Sequence, residues 1–142
     1  MRRVFVDTAY LQAILLRRDQ HHDAALQLGI DLEADEAEYV TTNLVIAELL
    51  ASISRFGPEA REQAVGLVDD LISQQRAFVY AFDEALFARA LALFKARRDT
   101  RYSLADCAAM VVCRDQRITD VLTSDADFTH EGLTILLRND RP

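Results

Sequence analysis

The sequence predicts an α/β fold in which short apolar strands alternate with amphipathic helices. Three observations predict it: apolar runs recur along the 142 residues, stretches with helical spacing of apolar residues separate them, and no Pro-, Gly- or Ser-rich linker interrupts the chain. Parallel strands need crossovers that pass over the sheet, and helices supply them. We therefore expect a central parallel sheet of about five strands with helices on both faces, and a single domain over residues 1–142.

The first half of the chain is predicted to open on a strand that ends at an acid. Leu11, Ile14 and Leu15 then recur at helical spacing, and Phe56 and Gly57 end a later helix whose N-cap we expect to be Asn43. The predicted elements are a strand over Arg3–Asp7, helices over Thr8–Arg18 and His22–Glu33, a strand over Tyr39–Thr42, and helices over Asn43–Arg55 and Pro58–Gln75.

The second half of the chain repeats the alternation with three further strands. Each strand is a short apolar run, and the two helices between them carry apolar residues on one face. The predicted elements are strands over Ala77–Phe82, Thr119–Thr123 and Leu133–Leu137, with helices over Glu84–Arg98 and Ser103–Asp115.

Composition excludes several kinds of chemistry. The three histidines share no helical i, i+4 spacing, and Cys107 and Cys113 lack the spacing of a zinc site, so we expect both cysteines to be packing residues. No apolar run approaches the roughly 20 residues that a membrane span requires. We expect a cytoplasmic protein that does not contact a membrane and whose catalysis, if any, depends on carboxylates.

The charge balance is acidic, with a formal net charge of -7. This argues against tight non-specific binding to nucleic acid but does not exclude nucleic acid as a substrate. Arginine supplies 15 of the 16 basic residues and can hold a phosphate through two parallel hydrogen bonds. Arg97, Arg98 and Arg101 are therefore candidates for binding a phosphate backbone, and the alternative is that they form a solvated helix end.

Four carboxylates occupy positions that a purely structural sequence tends to give to other residues. Asp7 ends the first strand, Glu48 lies within an apolar helix, Asp106 follows Ser103 at a helix start, and Asp125 follows the fourth strand. Each also has a structural explanation: a helix N-cap for Asp7, an exposed helix stripe for Glu48, a capping box for Asp106 and an Asx-turn for Asp125. The joint occurrence of all four favours a functional site.

The chain resembles PIN domains, and most closely the VapC-type toxins of bacterial toxin–antitoxin pairs. The segments that carry the resemblance are VFVDT (residues 4–8), NLVIAELL (43–50), SLADCAA (103–109) and VLTSDADF (121–128). The resemblance implies a metal-dependent ribonuclease with a sheet in the order 3-2-1-4-5. It implies an acidic cluster of Asp7, Glu48, Asp106 and Asp125, of which Asp7, Asp106 and Asp125 bind metal, with Thr8, Thr123 and Asp127 in support.

Converging carboxylates favour a divalent cation. Two unit charges about 4 Å apart repel by roughly 4 kcal/mol at an effective dielectric constant near 20. Oxygen ligands without thiolate or imidazole suit Mg²⁺, for which Mn²⁺ can substitute. Asp127 is close enough to Asp125 in sequence to replace it as the fourth acid or to assist it, although we prefer Asp125.

The expected partners are an RNA substrate, a cognate antitoxin protein and a second copy of the chain. Residues 22–75 carry more apolar surface than one small core requires, and an amphipathic antitoxin segment could bind there. The residues that indicate this excess lie on one part of the third helix and along the fourth, and they are Leu49, Leu50, Ile53, Val65, Val68, Leu71 and Ile72. The alternative is that they are ordinary core or a homodimer contact.

Other functions remain open at this point. A phosphatase of the haloacid dehalogenase type needs a second aspartate two residues after the first, where this chain has Ala9, and a receiver domain needs a late lysine, whereas the only lysine is Lys95. A stronger alternative keeps the PIN scaffold, either as an RNA-processing factor without an antitoxin or as a non-catalytic protein-binding module.

Overall fold

Five parallel strands alternate with six α-helices in the computed structural model, which describes residues 2–138. The strands are β1 (Arg3–Val6), β2 (Glu38–Thr42), β3 (Ala77–Tyr80), β4 (Asp120–Leu122) and β5 (Thr134–Ile135). The helices are α1 (Thr8–Leu15), α2 (His22–Ala34), α3 (Asn43–Ile53), α4 (Pro58–Ser73), α5 (Glu84–Ala96) and α6 (Leu104–Gln116), and two 3₁₀ helices cover Ser54–Phe56 and Ala126–Glu131.

The sheet has the order β3-β2-β1-β4-β5, which confirms both the predicted fold class and the predicted strand order. Phe5 at the centre of β1 pairs with Val40 of β2 on one side and with Val121 of β4 on the other. All three side chains are buried because helices cover the sheet on both faces. The strand order reverses between β1 and β4, so a crevice is expected at the carboxyl ends of these two strands.

Helix α6 is the most deeply buried helix of the fold. All seven residues from Cys107 to Cys113 are buried, and α6 packs against α5 on one side. The two cysteines are free thiols within the core, as the prediction of packing residues requires. Burial of the middle of α6 fixes the position of its first turn, which carries Asp106.

The start of α3 differs from the prediction. Thr42 is the N-cap, because its backbone is extended (φ -125°, ψ 157°) and its hydroxyl oxygen accepts a 3.2 Å hydrogen bond from the Val45 amide. Asn43 already lies within the helix, and its Oδ1 atom instead accepts a hydrogen bond of 2.8 Å from the Phe82 amide. The prediction of Asn43 as the N-cap was therefore wrong by one residue.

Several predicted elements are longer than those observed. Helix α1 ends at Leu15 rather than at Arg18, and α3 passes into a 3₁₀ helix after Ile53 instead of continuing to Arg55. Strand β5 covers only two residues of the predicted five. The elements are correct in type and order, and the errors lie at their ends, where loops replace the regular hydrogen bonds.

Replacement of Thr42 by valine tests the assignment of the N-cap. The Thr42→Val change keeps the buried volume but removes the acceptor for the Val45 amide, and we expect the free energy of unfolding to fall by about 1–2 kcal/mol. Urea denaturation measures the free energy of unfolding of the variant and of the wild type. Thr119→Val, the same change at an exposed position, is the control and is expected to cost less than about 0.5 kcal/mol. Equal effects at both positions would contradict the assignment.

Candidate functional site

Asp7 lies at the carboxyl end of β1 with 9% of its surface exposed. It occupies the N-cap position of α1 but makes no side-chain capping hydrogen bond. Its Oδ2 atom accepts a 2.8 Å hydrogen bond from the hydroxyl of Thr123, which is fully buried at the end of β4. The side chain thus faces the crevice between β1 and β4, and helix capping does not account for it.

The electrostatic surroundings of Asp7 disfavour its charge. Burial raises its pKa from 3.8 to about 6, although the hydrogen bond from Thr123 opposes the rise. The negative charges of Asp106 and Glu48 raise this pKa further. Three carboxylates from three different elements therefore interact at this end of the sheet.

Glu48 is half-buried on α3 and faces the same crevice. Its Oε1 atom accepts a 3.0 Å hydrogen bond from the hydroxyl of Thr8, the first residue of α1. Burial raises the pKa of Glu48, and the charge of Asp106 contributes to the rise. The exposed-stripe explanation does not describe this side chain, because its carboxylate is partly desolvated and bonded to a neighbouring helix.

Asp106 occupies the third position of α6 and takes part in a capping box with Ser103. The Ser103 amide donates to Oδ2 of Asp106 at 2.9 Å, and the Asp106 amide donates to the Ser103 hydroxyl oxygen at 3.0 Å. The structural explanation for this acid is thus realised. Burial raises the pKa of Asp106, as do the charges of Asp125 and, to a smaller extent, Asp127. Its carboxylate both caps the helix and interacts with the acidic cluster.

The loop after β4 holds Asp125 through two hydrogen bonds. Its Oδ1 atom accepts from the Asp127 amide at 2.9 Å, so the predicted Asx-type turn is present. Its own amide donates to the Thr123 hydroxyl oxygen at 3.2 Å. Thr123 therefore connects Asp7 to the backbone of Asp125 through a single hydroxyl group.

The donor chemistry of the four carboxylates fits a hard divalent cation, since every donor is an oxygen and the charges repel one another. Within residues 2–138, however, no three His, Cys, Asp or Glu side chains are placed to hold a metal ion as they stand. Asp7, Glu48, Asp106 and Asp125 each have one oxygen engaged in a hydrogen bond to a neighbouring group. Each carboxylate keeps a second oxygen, which none of these hydrogen bonds engages, as a candidate cation ligand.

The three candidate arginines lie in different environments. Both Nε and Nη2 of Arg97 donate to Glu131 at 3.1 Å, so its guanidinium is already paired. Arg98 is largely exposed near Asp99, and Arg101 is exposed as well. Sequence reasoning missed Glu131, because nothing in the polar segment around it distinguishes it from a surface acid.

An apolar groove of about 490 Å³ lies between α1, α2 and α4. Residues that line it from these helices are Tyr10, Leu11, Ile14, Leu26, Ile30, Leu67 and Leu71. An ion pair between Arg76 and Glu33 lies at its polar margin. Ile30 is 64% exposed, so part of the predicted apolar excess of residues 22–75 does face outward.

The apolar residues of α3 and α4 that were predicted to exceed the needs of one core lie partly in the core and partly at the surface. Leu49, Ile53 and Val68 are buried, whereas Val65 and Ile72 are about half exposed. The expectation that some of this apolar surface faces outward is confirmed for α4.

Comparison with models of protein families shows to which family the chain belongs. A family model for the PIN domain matches residues 4–131. The chain belongs to the PIN domain family. The four carboxylates of the crevice all lie within the matched residues of this PIN domain.

Solved structures share the PIN fold at low sequence identity. VapC20 from Mycobacterium tuberculosis, described as a sarcin–ricin loop cleaving toxin, superimposes with a TM-score of 0.81 at 23% identity, covering 95% of this chain and 99% of that one. VapBC2 from Rickettsia felis, bound to a DNA fragment from its promoter, gives 0.64 at 14% identity, covering 94% and 96%. FitAcB from Neisseria gonorrhoeae gives 0.61 at 16% identity, also covering 94% and 96%.

Comparison with curated protein sequences gives no match to this PIN domain. Among residues 2–138, no helix combines the length and the apolar character needed to cross a membrane.

The raised pKa of Asp7 predicts a pH dependence of stability. Between about pH 4 and pH 6 the folded state binds more protons at Asp7 than the unfolded state does, so stability falls as the pH rises through this window. The loss in the free energy of unfolding is complete above about pH 6 and amounts to roughly 3 kcal/mol. It is absent below the unfolded pKa of 3.8.

The Asp7→Asn variant of the PIN domain removes this titration and keeps an oxygen for the Thr123 hydroxyl. We expect the variant to gain stability relative to the wild type as the pH rises from about 4 to about 6. Urea denaturation at several pH values in the presence of a chelator measures the difference. Parallel stability curves for the two proteins would contradict the prediction.

Proposed function

We propose that this PIN domain is a metal-dependent endoribonuclease and the toxin of a toxin–antitoxin pair. The observation that carries the proposal is the convergence of Asp7, Glu48, Asp106 and Asp125 on one crevice, where carboxylates raise one another's pKa. Burial and neighbouring charges raise the pKa values of Asp7, Glu48 and Asp106, so gathering these acids at the carboxyl ends of the strands is costly for folding. A site that binds a cation accounts for their retention in one place.

Asp7, Asp106 and Asp125 would hold Mg²⁺ or Mn²⁺ in this proposal. A divalent cation at such a site supplies an activated water and offsets negative charge on a phosphodiester as its P–O bond breaks. Asp125 is preferred over Asp127 because its charge acts more strongly on Asp106. Thr123 contributes by holding Asp7 and the Asp125 backbone together.

Glu48 has a separate role as a proton acceptor. Its raised pKa brings it closer to neutral pH than that of a free glutamate, which improves its ability to take a proton from an attacking water. The hydroxyl of Thr8 orients its carboxylate through Oε1. Attack of water in line with the leaving 3′ oxygen leaves a 5′-phosphate and a 3′-hydroxyl.

Substrate binding is assigned to exposed basic groups near the C-terminal end of α5. Arg98 and Arg101 are exposed and would contact flanking phosphates, whereas Arg97 would have to leave Glu131 to do so. The net charge of -7 makes this binding weak without the cation. RNA is the proposed substrate, and the cytoplasm is the proposed location.

Carboxylate-to-amide variants test the catalytic assignment. We expect Asp7→Asn, Glu48→Gln and Asp106→Asn each to reduce cleavage of structured RNAs at least about 100-fold, since each removes a charge required at the site. Cleavage is measured with Mg²⁺, with Mn²⁺ and with chelator, and the product ends are sequenced. Asp115→Asn, at the other end of α6 from Asp106, is the control and should retain activity. Wild-type cleavage rates in folded Asp7→Asn would refute the assignment.

The apolar groove is the proposed binding site of an antitoxin. Its lining from α1, α2 and α4 suits an amphipathic segment, which buries apolar side chains at i, i+3 and i+4. A basic side chain on that segment could pair with the nearby carboxylates and compete with the cation.

Two of the structurally similar proteins, VapBC2 and FitAB, have been solved bound to DNA fragments. A homodimer of a single-domain chain, residues 1–142, completes the proposed assembly.

Growth assays test the toxin assignment. We expect expression of the chain alone to arrest growth, and co-expression of the product of an adjacent short reading frame to relieve the arrest. The Asp7→Asn variant should not arrest growth at the same expression level. If the wild type is harmless at high level while the purified protein cleaves RNA, an RNA-processing factor without an antitoxin becomes the better account.

A further inference from the structure

A cluster of three polar side chains lies outside the four carboxylates, and we call Glu131, Arg97 and Tyr102 the Glu131 clamp. Arg97 donates two hydrogen bonds of 3.1 Å to the two carboxylate oxygens of Glu131. The Tyr102 hydroxyl donates a third, of 3.0 Å, to Oε2. The Glu131 side chain is 12% exposed and Tyr102 is buried, whereas the Arg97 side chain is 39% exposed, so these bonds are partly shielded from water.

The clamp joins the two segments that carry Asp106 and Asp125. Glu131 is the last residue of the 3₁₀ helix whose N-cap is Asp125. Tyr102 immediately precedes Ser103, which forms the capping box with Asp106. Arg97 follows the last turn of α5. One carboxylate therefore connects the end of α5, the start of α6 and the loop after β4.

Glu131 is itself unsuited to bind a cation. Both of its oxygens accept hydrogen bonds, and the guanidinium of Arg97 neutralises its charge. The hydrogen bond from Arg97 holds the pKa of Glu131 below its usual range, so the clamp stays ionised and intact at neutral pH. The clamp adds rigidity beside the acidic cluster without adding net negative charge to it.

The clamp also lies within electrostatic reach of the site. Burial and Glu131 raise the pKa of Tyr102, and the charge of Asp127 adds to the rise. Burial likewise raises the pKa of the Cys107 thiol, and the charges of Asp106 and Glu131 add to it. Gly132 follows Glu131 with a φ of +80°, a conformation that favours glycine. The chain can thus turn into β5 directly after Glu131 without displacing it.

We propose that Glu131 is a positioning residue that sets the spacing between Asp106 and Asp125 through Arg97 and Tyr102. This role rests on the proposed function, in which these two aspartates share a cation. Residues that do not bind the metal but fix the orientation of its ligands change metal affinity about 10- to 100-fold when they are replaced. The Glu131 clamp acts on the segments that carry the ligands, because Tyr102 adjoins the N-cap of α6 and Glu131 ends the 3₁₀ helix that follows Asp125.

Two variants of the full chain distinguish an effect of the clamp on the metal site from a general loss of stability. Glu131→Gln removes the charge but keeps the size of the side chain, and Tyr102→Phe removes only one hydroxyl. The matched control is Asp115→Asn, because Asp115 accepts two hydrogen bonds from Arg89 and so also joins α5 to α6, but at the opposite end of α6 from Asp106. Each protein is examined by amide hydrogen exchange without metal and by electron paramagnetic resonance titration with Mn²⁺.

We expect Glu131→Gln to weaken Mn²⁺ binding about 10-fold and Tyr102→Phe to weaken it about 3-fold, with no change in Asp115→Asn. The amides of Asp127 and Phe128 should exchange faster in both clamp variants, whereas the Val45 amide at the start of α3 should not. If Glu131→Gln does not fold, Tyr102→Phe alone carries the test.

Contrary results have separate meanings. Wild-type Mn²⁺ affinity in the folded clamp variants, or faster exchange at Val45 as well, overturns the positioning role and leaves the proposed function intact. Absence of Mn²⁺ binding to the wild type overturns the proposed function, and the positioning role fails with it.

Discussion

The hydrogen bond from Thr123 to Asp7 connects the two strands between which the sheet reverses its order. It holds a buried carboxylate at the carboxyl end of β1, and the same hydroxyl oxygen accepts the Asp125 amide. The other acids of the crevice depend on this arrangement, because Glu48 and Asp106 act on Asp7 across it. Loss of the bond would leave backbone hydrogen bonds, such as those from the Asp7 amide to Leu122 and from the Leu137 amide to Thr123, to hold the end of β4.

The fold brings several carboxylates together in surroundings that disfavour their charged forms. Phe5, Val121 and Leu122 of β1 and β4 are fully buried, and desolvation is the largest contribution to the raised pKa values of Asp7, Glu48 and Asp106. A site of this kind lowers stability, which is a common cost of function in proteins. Much of the remaining structure compensates, above all the continuous buried segment of α6.

Most of the fold could be predicted from the sequence because its periodicity is clear. The alternation of apolar runs with helical patterns indicated a parallel sheet, and the strand order came from the resemblance to PIN domains. The N-cap of α3 was misplaced because Thr42 and Asn43 are both good capping residues, and only the backbone conformation distinguishes them. The short β5 could not be predicted, since its ends depend on pairing with β4.

The four acids and their neighbours Thr8, Thr123 and Asp127 were named from the sequence and its resemblance to PIN domains, but the Glu131 clamp was not. Residue type and position at strand or helix ends mark Asp7 and Asp106, whereas the partners Glu131 and Tyr102 are 29 residues apart in sequence and meet only in the folded chain. Contacts of this kind leave no pattern in a single sequence. The pairing of Arg97 with Glu131 likewise had no local signal, which is why its guanidinium was expected to be free for phosphate.

The capping box of α6 gives the acidic crevice a mechanical connection to a helix end. The Oδ2 atom of Asp106 accepts the Ser103 amide, and that amide has no other acceptor in the described part of the chain. A ligand that draws this oxygen away leaves a backbone donor unpaired and loosens the first helical turn. Occupancy of the crevice by a ligand that engages this oxygen is therefore coupled to fraying of α6, and the helix start reports on the state of the site.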